Sequence, residues 1–120
     1  MTLHLELRDA VEARYGDDLA EPVDLRQDAM MLRFGEALEM EVRFAAEDAY
    51  SIRWVSGQDV LCIDTAPRRD LPAGRGSHLH DHRGRVVPDP LTQPGAAPID
   101  NLSSVIDAVL ISPTLEGRIA

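Results

Sequence analysis

An α+β fold, with an antiparallel β-meander of four to five strands between an amino-terminal and a carboxy-terminal helix packed on one face, is what the apolar periodicity of this chain predicts. Three observations carry the reading. Apolar residues recur at helical spacing over residues 3–19, alternate with a period of two from residue 29 to residue 64, and return to helical spacing over residues 101–111.

In the first segment Leu3, Leu7, Ala10, Val11 and Ala13 are separated by Glu6, Arg8, Asp9, Glu12 and Arg14, which is the pattern of a short amphipathic helix. It should stop at Tyr15-Gly16, where glycine takes the left-handed closing conformation, and Pro22 blocks a second helix there. In the second segment Leu38, Met40, Val42 and Phe44 alternate with Glu39, Glu41 and Arg43, as in a strand with one sealed face and one wet face. Residues 29–34 are its expected partner through Gly35-Glu36. Residues 49–56 place Tyr50, Ile52 and Trp54 on one face, Gly57-Gln58-Asp59 makes a turn, and residues 60–64 form a short apolar strand. Connections this short require an antiparallel meander. The register demand is strict: Met40 and Val42 inside, Glu39 and Glu41 outside, since a slip of one residue exchanges the faces.

A fifth short strand is expected from about residue 78 to residue 87, and Pro88, Pro90, Pro94 and Pro98 exclude regular structure over 88–98. Asp100 is the expected N-cap of the last helix, whose Leu102, Val105, Ile106, Val109 and Leu110 form an apolar stripe ended by Pro113.

At 120 residues the chain makes a single domain with one core, built mainly from aliphatic residues because only Tyr15, Phe34, Phe44, Tyr50 and Trp54 are aromatic. Lone Cys62, inside Val60-Leu61-Cys62-Ile63, reads as a small buried hydrophobe in a reducing compartment. No stretch reaches the roughly 20 apolar residues of a membrane span, and residues 1–8 lack the order of a signal peptide, so a cytoplasmic location is expected. There is no lysine, against 12 Arg, 13 Asp and 8 Glu, and the net charge is −9. Such a balance suits a high-salt cytoplasm or a GC-rich genome. It argues against long-range capture of nucleic acid by the whole surface without excluding RNA binding.

Residues 68–85 stand apart. They hold five arginines and three histidines against Asp70 and Asp81, a local charge of +3 that leaves −12 on the rest of the chain. His78, His80 and His82, at i, i+2 and i+4, project from one face if the segment is a strand. A His-x-His pair can give a metal two ligands, with Asp64, Asp81 or a distant Glu as a third; no second His or Cys cluster exists, and no metal or other cofactor is assigned. Alternatively, histidines near their ordinary titration range act as acid and base while Arg68, Arg69, Arg75, Arg83 and Arg85 bind phosphate oxygens. Gly74 and Gly76 would allow close approach of the backbone, and the sum is a minimal metal-independent ribonuclease site. The plain alternative is a solvated basic loop that neutralises the acidic body of its own fold. Tyr50 and Trp54 share a face that would suit base stacking but is more often core. Glu39, Glu41 and Glu47 lack the spacing of a magnesium site and read as a wet strand face.

A meander ending in Ile63-Asp64-Thr65-Ala66-Pro67, followed by Leu71-Pro72, by Ser77-His78-Leu79-His80-Asp81 and by a closing helix, resembles the TumE-like family of toxin-antitoxin systems over residues 37–110. That family carries Asp-Asn-Ala-Pro-His-His after the last meander strand and a His-x-His shortly after. Thr65 stands here in place of Asn, and Arg68-Arg69 in place of His-His. The resemblance implies a small toxin, encoded beside a helix-turn-helix antitoxin and acting on RNA, with Asp64, His78 and His80 as catalytic residues. RNA, such an antitoxin and a second copy of the chain are the expected partners, with no membrane. The alternative is a non-catalytic protein-interaction module or an inactive relative.

Overall fold

The period-two segments pair in chain order. In a computed structural model that describes residues 3–66 and 76–116, the elements are α1 (Leu3–Tyr15), β1 (Asp24–Leu25), β2 (Met30–Phe34), β3 (Leu38–Ala46), β4 (Ala49–Ser56), β5 (Asp59–Asp64), β6 (His78–His80), β7 (Val86–Pro88) and α2 (Pro98–Ile111). The strands form one antiparallel sheet in the order β1-β2-β3-β4-β5-β6-β7. The expected α+β architecture is therefore present, with seven strands rather than four or five. The span expected as one strand is two, β6 and β7, folded back on each other at residues 81–85, and Pro88 ends β7 where its missing N–H is harmless.

Register follows the alternation. Met30, Val42, Ile52, Ile63 and Leu79 are successive partners across five strands, and all are sealed from solvent. Leu32, Met40, Trp54 and Leu61 make the neighbouring row, also sealed. Met40 and Val42 lie inside while Glu39 and Glu41 face out, as the pattern demands. Tyr50 and Trp54 belong to the core, not to a stacking surface: Tyr50 packs on Phe44 with ring centroids 4.9 Å apart, and Trp54 donates its indole N–H to the Pro113 carbonyl at 2.8 Å.

Both helices join this cluster. Leu7, Val11 and Tyr15 of α1 and Leu102, Val105, Ile106 and Val109 of α2 close over the same sheet face. The helices also bond each other: the Tyr15 hydroxyl donates to Asp107 at 2.7 Å, and Arg14 to the Ser103 hydroxyl at 2.9 Å. That contact turns the buried arc of α2 toward α1, so Ser103 and Ala108 are buried and Leu110, expected in the stripe, is exposed. Asp100 is not the N-cap. The helix starts at Pro98, after Ala97, because proline at the first position brings a preset φ and has no N–H for a cap to satisfy. Asn101 instead ties the proline-rich segment back, accepting from Gln93 N–H at 3.0 Å and donating to its carbonyl at 2.9 Å.

Ile52→Ala should lower the free energy of unfolding by about 2–5 kcal/mol through the cavity it leaves. Glu39→Ala, on the opposite face of the neighbouring strand in an exposed 3.7 Å contact with Arg33, should cost under about 1 kcal/mol. Chemical denaturation of both variants checks the register, and equal losses would contradict it.

Candidate functional site

With the helices on one side, the other side of the sheet carries the polar rows. Register places Arg43, Ser51, Asp64, His78 and Pro88 in one row across five strands, and Glu41, Arg53, Cys62, His80 and Val86 in the next. Asp64 is thus directly opposite His78 and diagonal to His80, the two positions from which cross-strand side chains meet. His80 Nε2 lies 3.0 Å from Asp64 Oδ2, with His80 about one-third exposed and Asp64 less so. The other Asp64 oxygen accepts the Ala66 N–H at 3.1 Å, which fixes the carboxylate at the end of β5. The contact sets a carboxylate against one ring nitrogen and leaves Nδ1 on the other side of the ring.

His78 and His80 project from one face, as expected, and both are half-buried. His78 Nδ1 is buried without a hydrogen-bond partner among the described residues. His82 does not continue the row, because β6 ends at His80 and His82 lies in the turn that follows. Among the described residues no three His, Cys, Asp or Glu side chains are grouped so as to hold a metal ion.

Of the arginines expected to bind an anion, Arg68, Arg69 and Arg75 lie outside the described residues. Arg83 is in the β6–β7 turn with its side chain exposed and in no ion pair among the described residues. Arg85 is engaged locally, its Nε donating to Asp81 at 2.8 Å. Asp81 is the centre of that turn, accepting also from the N–H groups of Arg83 at 2.9 Å and Arg85 at 2.8 Å, while Gly84 takes the positive φ the turn requires. Burial alone would raise the Asp81 pKa, but the bonds from Arg85 and Arg83 outweigh it and hold the carboxyl below its ordinary value.

Three features around the site escaped the sequence reading. Cys62 is not a core residue: Leu61 and Ile63 point inward, so Cys62 points outward, half-buried, 3.8 Å from the Ser51 hydroxyl and 4.0 Å from Asp64. Burial pushes its thiol pKa up, with Asp64 adding to the rise, which opposes a reactive thiolate. Arg53, opposite Cys62, is exposed and has no ion pair among the described residues, whereas Arg33 and Arg43 on the same face each hold two carboxylates. Asp89 is a buried carboxylate that receives the Ser77 hydroxyl at 2.9 Å, the N–H groups of Leu91 at 2.7 Å and Thr92 at 3.1 Å, and the Thr92 hydroxyl, which also bonds Tyr50. The period-two rule applied to residues 60–64 would have found the outward Cys62, and Asp89-Pro90 is a turn-initiating pair that hinted at Asp89.

A shallow depression beside Asp64 is lined also by Arg43, Ser51, Tyr50 and Thr65. A larger cleft opens at the other end of the sheet among Glu21, Arg33, Glu36, Glu39 and Val55, away from the histidines, and its lining has no acid–base pair of this kind. Comparison with family models, with curated proteins and with solved structures finds no match to this chain.

Asp81→Asn should destabilise the fold at neutral pH, with the gap to wild type closing in acid. A carboxyl whose folded pKa is depressed adds stability that is complete above its unfolded value and is lost as pH falls through the folded one. Unfolding midpoints between pH 7 and the acid limit of the fold, wild type against variant, measure this; a gap that stays constant would contradict it.

Proposed function

We propose that the protein is a small toxin-like endoribonuclease that works through the acid–base groups of its open sheet face. The Asp64–His80 contact at 3.0 Å carries the reading, because an imidazole oriented by a carboxylate and still reachable from solvent is the arrangement general base catalysis needs. His80 takes the proton from an RNA 2′-hydroxyl, whose oxygen then bonds to the adjacent phosphorus. The bond from phosphorus to the 5′-oxygen breaks, and His78, on the same face, supplies the proton to that leaving oxygen, leaving a 2′,3′-cyclic phosphate. Arg53 brings a positive charge to the neighbouring row, and Arg68, Arg69 and Arg75 belong in sequence to the connection between Asp64 and His78. The resemblance adds a helix-turn-helix antitoxin as partner, with a second copy of the chain as a further one. No helix among the described residues is long and apolar enough to cross a membrane.

A second reading, a non-catalytic module or inactive relative that binds a partner protein on this face, is favoured by one observation: the Asp64 carboxylate is already shared by His80, Ala66 N–H and Cys62.

Cleavage of end-labelled RNA at several salt concentrations separates the two. Wild type should leave cyclic phosphate ends in the presence of chelator, His80→Ala and His78→Ala should each lose at least about a hundredfold in rate, and Asp64→Asn should lower the rate without changing the ends formed. Cleavage that survives the double histidine variant, or no cleavage by wild type of any RNA tried, would overturn the catalytic reading and leave the interaction module.

A further inference from the structure

His4 is remote in sequence from the histidine-rich segment and sits in the first turn of α1. Its Nε2 accepts the backbone N–H of Phe44 at 2.9 Å. The reason this N–H is available lies in the register. The β2–β3 ladder ends at the pair Met30–Val42, and Phe44 is two residues beyond it. On the other side, Tyr50, the β4 partner of Phe44, turns its own N–H and carbonyl to Thr65, so Phe44 N–H faces the side that β2 does not reach. A half-buried backbone donor at that point needs an acceptor, and the imidazole provides it.

Only a neutral imidazole can do so. A protonated ring carries hydrogen on both nitrogens and has no acceptor. The hydrogen bond is therefore present when the ring is neutral and is lost when it takes a proton, so its contribution to stability falls as pH falls. The charged groups around His4 do not reverse this sign. Asp28 from the β1–β2 connection and Arg43 from β3 share its cleft, but they are paired with each other at 2.9 Å, and Arg43 is also bonded to Glu41. On α1 itself, Arg8 is paired with Asp9 at 3.0 Å.

The rest of α1 is fastened elsewhere. Glu12 accepts the Val23 N–H at 3.0 Å, Arg14 bonds Ser103, and Tyr15 bonds Asp107, all in the second half of the helix. Among the contacts described, the first half is held to the sheet by the packing of Leu3 and Leu7 and by the His4 bond to Phe44. We propose that His4 is an acid-released latch: protonation frees the first turn of α1 from the end of β3, uncovering the Phe44 end of the core, while the second half of the helix stays bound to α2 and to the segment before β1.

The test is amide hydrogen exchange and imidazole nitrogen NMR on the full chain across the range in which imidazole titrates, about pH 5 to 8. In wild type the neutral His4 ring should carry its proton on Nδ1, and protection of the Phe44 amide, corrected for intrinsic rates, should fall about tenfold as the ring protonates. His4→Gln, whose side-chain carbonyl accepts at a similar reach without titrating, should hold that protection level across the range. Fastenings at Glu12, Arg14 and Tyr15 should keep the Val11 amide protected throughout. A neutral ring protonated on Nε2, a Phe44 amide indifferent to pH in wild type, or the same pH dependence in His4→Gln would each overturn the latch. The ring measurement needs no variant, so it stands even if His4→Gln folds poorly.

Discussion

Both helices pack on the same face of the sheet, and every strand must in consequence divide its side chains into a sealed row and an open one. The sealed rows, headed by Met30–Val42–Ile52–Ile63–Leu79, join with α1 and α2 in a single cluster. Burying a large aliphatic side chain is worth roughly 1.5–3 kcal/mol, so a dozen of them fix the pleat of the whole sheet. Once the pleat is set, the open rows have no freedom. Asp64, His78 and His80 meet on the open face because Ile63 and Leu79 are required on the other.

Short strands at the end of a sheet need more than their few ladder bonds. β6 has three residues, and two buried aspartates bracket it: Asp89 takes the Ser77 hydroxyl immediately before it, and Asp81 organises the turn immediately after it. A buried carboxylate is tolerated only when its oxygens are bonded, and both of these are. Their effect reaches the open face through the backbone. With β6 clamped at each end, the histidines between the clamps keep their register against β5, which an isolated three-residue strand would not guarantee. Most of the polar bonding in this part of the chain therefore supports the histidines without touching them.

What was legible in the sequence tracks how far each signal depends on the residue's own neighbours. The β3 and β4 register was readable because nine and eight residues of clean alternation leave only one way to bury Met40, Val42, Ile52 and Trp54. β1 and β7, with two and three residues, carry no period of their own and exist because a neighbouring strand offers a ladder. Cys62 was misread because Val60-Leu61-Cys62-Ile63 is apolar throughout, so composition hides an alternation that only the sheet reveals. The start of α2 was misplaced because Asp100 has the chemistry of a cap, while Pro98 has the geometry of a first position. At the candidate site, the His-x-His spacing signalled a shared face; Asp64, 14 residues earlier than His78, was one of several candidate carboxylates, and no local pattern singles out its contact with His80. Arg53 and His4 gave no signal, since an arginine on a wet strand and a histidine in a first helical turn are ordinary until the strands around them are placed.

The acidic surface and an anion-directed site are compatible on one condition, that the relevant charges lie within a screening length. The net charge of −9 repels a polyanion at long range, but in about 0.15 M salt that field decays over roughly 8 Å, and faster in a saltier medium. Within such a distance of Asp64 the open face presents His78, His80 and, in the adjoining row, Arg53, while Arg33 and Arg43 are each outnumbered by two carboxylates of their own. Arg53 stands opposite Glu41 and diagonal to Asp64, so its charge too is met by carboxylates nearby. Partial exposure keeps the His80–Asp64 pairing energy modest. On such a face an anion would be held by short-range contacts to Arg53 and the two imidazoles, against the net negative charge that Arg33 and Arg43 leave uncompensated.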